Sequence, residues 1–213
     1  MVENKNLMLA RQARKENNTE DAKRFYDLTR IDDPENGEAK FFYAYYSLYE
    51  GKNIEVPSKF SNLCKTVRPS IELVKKSEAS KEEQLESIKE IVETFVPETW
   101  TINRYMNSKN HETKIGDSYV KIFDSTAIKA CCLGGMATIR DLGNDLATLY
   151  GEDAEAKRLA TVAWKEYVSL SQKWYSWAVK GDAEIYAEKI KQVDPSYVMP
   201  EKAGCISFAN KKD

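Results

Sequence analysis

Residues 21–34, DAKRFYDLTRIDDP, return near the other end of the chain as residues 182–195, DAEIYAEKIKQVDP. Both copies open Asp-Ala, carry an aromatic at the fifth place and close Asp-Pro. A helix of this kind has a defined stop, because the residue before a proline is driven out of the α region. The repeat therefore fixes a helix with a punctuated end near each terminus. That speaks of packing and of partner surfaces, and names no chemistry.

The rest of the chain supports a helical reading. Glycine and proline are scarce, 9 and 6 in 213 residues, which disfavours a turn-rich β protein. Leu7, Ala10 and Ala13 fall at helical spacing in residues 3–16, and Thr19 is expected to cap a second helix ending near Ile31. A third helix, residues 38–50, carries FFYAYYSLYE, with Gly51 as its expected stop. Residues 58–77 repeat apolar residues at Phe60, Leu63, Val67, Ile71 and Val74, and Pro69 within them predicts a kink or break near Val67. Residues 80–108 are the most regular: Leu85, Ile88, Val92, Phe95, Thr99, Ile102 and Met106 step by three and four behind a Ser80–Glu83 capping box, with a bend or break at Pro97. The polar stretch 107–113 reads as a hinge. Ile115, Tyr119 and Ile122 open a further helical pattern over 114–150, in which Gly134-Gly135 marks either a close helix approach or a break. Residues 152–180 and 182–193 supply two more helices. Sustained strand alternation is lacking, so the expected class is all-α, with long antiparallel helices between two terminal hairpins. The expected divisions are 1–51, 52–109, 110–200 and a tail 201–213, packed as one compact unit.

At this point the chain resembles tetratricopeptide (TPR) proteins, whose unit is a helix–turn–helix with small residues where the helices cross and a proline at the end. With Pro34 on the motif proline, Ala10 takes the small position of the first helix, Ala22 the alanine of the second and Tyr26 its aromatic position. With Pro195 so placed, Leu170, Ser171 and Trp174 fall on the first helix, and Ala183 and Ile190 on the second. Thr29, Ala13 and Ala187 depart from the pattern, which covers about a third of the chain. The layout is also similar to bacterial proteins of unknown function that carry such helical regions, some with a zinc ribbon whose cysteines are missing here. The resemblance implies a groove that binds peptides through the first helix of a hairpin. It points to Asn4, Arg11, Arg14 and Lys15, with Tyr43, Tyr46 and Trp177 completing the candidate contact set. The family's carboxylate clamp does not carry over, since Leu7 and Arg11 stand at its Lys and Asn positions.

Other chemistries find little purchase. His111 is the single histidine, so multi-histidine metal sites are excluded by count. Cys64, Cys131, Cys132 and Cys205 form no CxxC pair and read as reduced structural thiols. Neither GxxxxGK[ST] nor GxGxxG occurs. With 32 basic against 34 acidic residues there is no cationic excess for nucleic acid, and no apolar run is long enough to span a membrane. The expectation is a cytoplasmic, non-enzymatic interaction module without cofactor or metal, whose partner is a protein or peptide. A homo-oligomer joined through the 85–106 stripe is a second mode. The alternative is a small-molecule binder or histidine-independent enzyme with its pocket between the aromatic helices.

Overall fold

A computed structural model describes residues 4–51, 55–108, 112–115, 118–121, 125–175 and 181–202. Its elements are α1 (Lys5–Lys15), α2 (Thr19–Asp32), α3 (Gly37–Ser47), α4 (Val56–Lys76), α5 (Lys81–Met106), β1 (Glu112–Ile115), β2 (Ser118–Lys121), α6 (Ser125–Leu149), α7 (Ala154–Leu170) with a π-helical turn at Ser171–Tyr175, and α8 (Asp182–Val193). The chain is all-helical apart from one small antiparallel ribbon, paired from Glu112 with Lys121 to Ile115 with Ser118. That ribbon corrects the helical reading of residues 114–121. The pattern there was two apolar residues four apart, too little to separate a helix from two short strands.

Consecutive helices pack as neighbours: α1 on α2, α2 on α3, α3 on α4, α6 on α7 and α7 on α8, while α4 also lies along α6. α5 is the central strut, touching α3, α4, α6 and α7. This explains its regular stripe. Leu85, Ile88, Val92, Phe95, Ile102 and Met106 are all buried, each fully buried side chain of this kind contributing about 1.5–3 kcal/mol. The stripe is thus consumed inside the chain, which corrects the expectation that it joins two copies.

Neither internal proline breaks its helix. Pro69 in α4 and Pro97 in α5 both lie on exposed positions. A proline frees the carbonyl four residues earlier, here Lys65 and Glu93, which are exposed as well, so water can satisfy it. Gly134-Gly135 also lies in unbroken helix. A Cβ on Gly135 would come within 2.8 Å of the Phe60 ring and 2.9 Å of Thr99, so α6 meets α4 and α5 there at backbone distance. Of the two expected readings of the glycine pair, close approach is the right one.

The two Asp-Pro segments end their helices in the same way. Asp33 (φ −137°, ψ 88°) and Asp194 (φ −127°, ψ 87°) leave the helix in extended conformation, as a following proline requires. Each carboxylate then accepts from the amide two residues on, Glu35 at 3.1 Å and Ser196 at 3.2 Å. Ala22, Tyr26 and Thr29 are buried on α2, and Ala183, Ala187 and Ile190 at the matching places on α8. The starts differ: Asn18, not Thr19, caps α2, accepting from the Asp21 amide at 3.1 Å, whereas Gly181 precedes α8 at φ +83°.

Candidate functional site

α1 faces the first half of α5 across a polar seam, and the seam is organised by one buried carboxylate. Glu38 sits in the first turn of α3, where the helix dipole favours an acid, yet it is only 3% exposed. It is saturated with donors. Arg11 reaches it through Nη2 at 2.7 Å and Nε at 3.1 Å, the Tyr26 hydroxyl donates at 3.1 Å, and the Ser87 hydroxyl at 2.9 Å. Arg11 Nη2 also donates to Ser87 Oγ at 3.3 Å. Burial pushes the Glu38 carboxyl up. The hydrogen bond and charge of Arg11, the charge of Arg14 and the Ser87 bond outweigh it and hold the group below the usual glutamate value. The Tyr26 phenol is driven the other way, by burial first and the Glu38 charge second.

Arg14, one turn on, lies over the Phe42 ring at 4.3 Å and pairs with Glu90 of α5 at 3.2 Å. Past these contacts the helices part to leave an open cleft of about 160 Å³ lined by Arg11, Arg14 and Lys15 on one wall and Glu83, Glu86, Ser87 and Glu90 on the other. The walls carry opposite charge. Pockets that enclose a small molecule run to about 300–1,000 Å³, so this one has room for a side chain of a segment laid across it. Ser87, the one hydroxyl in the lining, is already engaged with Glu38 and Arg11.

Of the residues singled out from sequence, the structure brings Arg11, Arg14 and Lys15 together, though not as a row of exposed cations. The Arg11 and Arg14 side chains are 35% and 15% exposed and are tied to carboxylates, while Lys15 is exposed. Tyr46 borders them: it is half-buried, stacks on Tyr26 at 6.2 Å, and its hydroxyl is pushed up to about 12 by burial, within the fields of Arg14 and Glu90. Asn4 and Tyr43 are elsewhere. Asn4 caps α1, accepting from the Asn6 and Leu7 amides at 2.9 and 3.3 Å. Tyr43 is covered by Arg30 and Lys23 of α2, at 4.5 and 5.3 Å from its ring. Trp177 lies outside the described residues, as do His111 and Cys205.

Sequence reasoning missed the acidic wall and its anchor. Glu83, Glu86 and Glu90 recur at three- and four-residue steps beside the apolar stripe, a signal that was present. Glu38 gave none, because its burial depends on Arg11 and Ser87, far away in sequence.

A second buried carboxylate, Glu98 on α5, receives the Tyr49 hydroxyl. Burial raises its pKa and the Tyr49 bond only partly offsets this. The aromatic residues of α3 otherwise fill space: Tyr26 and Phe42 stack at 4.9 Å and Phe41 meets Phe42 edge-on at 5.0 Å. Trp174 of the π turn meets Trp100 at 4.9 Å with the ring planes tilted by 40°, under the Lys173 ammonium. Burial raises the Cys64 thiol to about 12 and the Cys131 thiol further still, so both stay protonated and unreactive at neutral pH. Among the described residues no group of three or more His, Cys, Asp and Glu could hold a metal, and no helix is long and apolar enough to cross a membrane.

Comparison of the chain with known families, with curated proteins and with solved structures finds no significant match.

Proposed function

We propose that this protein is a non-catalytic interaction module, bacterial and cytoplasmic, whose TPR-like N-terminal hairpin and α5 together hold a peptide or protein segment in the cleft between them. One observation carries the reading: Arg11, Arg14 and Lys15 face Glu83, Glu86 and Glu90 across a partly open gap too small to enclose a cofactor. Such a cleft recognises a segment bearing both charges, with an acidic side chain at Lys15 and a basic one at Glu86. Fixed opposite charges give selectivity and rapid encounter more than raw affinity.

The test is affinity capture with the wild-type chain and with the Lys15→Glu/Glu86→Lys pair. A partner enriched by the wild type is expected to fall at least tenfold with the reversed cleft, and Lys15 is expected to crosslink to it. If no protein is enriched, while a metabolite raises the melting temperature, the pocket alternative replaces this reading.

A further inference from the structure

The two matched helices differ in what lies on them. On α2, the helix that follows the Asp-Pro turn comes back and covers its flank: Lys23 and Arg30 lie over Tyr43 of α3. Lys23, at the start of α2, pairs at 2.5 Å with Glu50, just past the end of α3, so α3 runs antiparallel to α2. On α8 the positions that match Lys23 and Arg30 are Glu184 and Lys191, and both are exposed, as is Glu188 between them. Ile185 beside them is 56% exposed. Their ion pairs are exposed ones: Glu188 with Lys191 one turn on, and Glu184 with Lys202 of the following segment at 3.8 Å.

α1, at the other end of the molecule, has the complementary stripe. Lys5, Met8, Gln12 and Lys15 share one face and all are exposed, Met8 by 50%. We infer that the exposed face of α8 docks α1 of a second copy of this chain, in the antiparallel sense that α3 takes on α2. Lys15, at the end of α1, then meets Glu184, at the start of α8. This is the Lys23–Glu50 pair with its signs exchanged. Met8, seven residues before Lys15, then lies under Lys191 as Tyr43 lies under Arg30, and Ile185 is covered beside Lys15. The two faces are different surfaces, so the contact is heterologous and adds copies head to tail, into a closed ring or an open chain. The inference stands apart from the cleft reading. Lys15 borders both surfaces, so Met8 and Ile185, which do not line the cleft, carry the test.

Sedimentation equilibrium of the full chain, taken to its highest soluble concentration, should show an average mass rising past that of two chains. Met8→Glu alone and Ile185→Glu alone should each remain monomeric with unchanged circular dichroism and melting temperature. Mixed in equal amounts they should form dimers and nothing larger, because each keeps one intact face. A wild type that stays monomeric overturns the inference, as does assembly that either substitution leaves intact. A mixture that stays monomeric points instead to a symmetric contact. Assembly that appears only when residues after Lys202 are removed makes the chain's own end the occupant of α8.

Discussion

Removing the cation from the Glu38 cluster should cost more than removing the charge it serves. In Arg11→Met, Glu38 keeps the Tyr26 and Ser87 hydroxyls and the more distant Arg14 charge but loses its directly paired guanidinium while remaining almost wholly buried. Stranding a buried charge in this way costs about 3–5 kcal/mol. In Glu38→Gln the group left behind is Arg11, whose side chain is 35% exposed and can turn towards water. The loss there is confined to charge-assisted hydrogen bonds, about 1.5–3 kcal/mol. The double variant should lie near Glu38→Gln, since no stranded charge remains. Urea denaturation followed by circular dichroism at pH 7 reads the order, and for a chain of this size each kcal/mol moves the melting temperature by about 2–4 °C. Acid gives a second reading. The Glu38 carboxyl titrates lower in the folded chain than in the unfolded one. Its stabilisation is therefore present above the ordinary glutamate value of 4.5 and is lost as pH falls through the lower folded value. Glu38→Gln should abolish that part of the acid transition. Should Glu38→Gln prove as damaging as Arg11→Met, the cluster is held by its hydrogen bonds and not by its charge, and the argument fails.

Three further outcomes follow from named contacts. Gly135→Ala should destabilise by about 1–3 kcal/mol, because its methyl meets Phe60 and Thr99. Gly134→Ala, with open space around it, should stabilise by about 0.5–1 kcal/mol; thermal melts that fail to separate the two would undo the packing argument. Glu98→Gln should be more stable than wild type at pH 7. The folded carboxyl titrates high, so the wild type loses stability as pH rises from the ordinary glutamate value through the raised one, and the neutral amide does not. Melts across pH 4–8 that run parallel for the two proteins would refute this. Finally, Cys131, buried, should react with a thiol reagent at pH 7.5 only as fast as the chain opens, read at that residue by mass spectrometry, and mild urea should accelerate it; rapid labelling there without denaturant would contradict its burial and raised pKa.

What could be read from the sequence followed the range of the interactions. The helix stops at Asp33 and Asp194 and the Ser80–Glu83 box were legible because each is decided within four residues. The α5 stripe was legible because a period of 3.6 runs through more than twenty residues. Whether Pro69 and Pro97 end their helices or leave them continuous was left open by the sequence, because a proline's effect turns on whether the freed carbonyl meets water, which is a tertiary property. The β ribbon of 112–115 and 118–121 was read as helix because two apolar residues four apart, Ile115 and Tyr119, fit either period. In the candidate site the cations of α1 were found and their partners were not, since Glu38 and Glu90 are brought to Arg11 and Arg14 only by the packing of α3 and α5.

The Glu38 cluster also bears on how the molecule comes apart. It ties Arg11 of α1, Tyr26 of α2 and Ser87 of α5 to one carboxylate on α3, across sequence separations of 12 to 49 residues from Glu38. Opening any one of the four helices exposes the charge to a partly dismantled, still apolar surround, so their openings are coupled. Amides of α1, though α1 stands near the end of the chain, should then exchange with solvent at the rate of those in the middle of α5, and a fragment ending at residue 51 should not hold its fold.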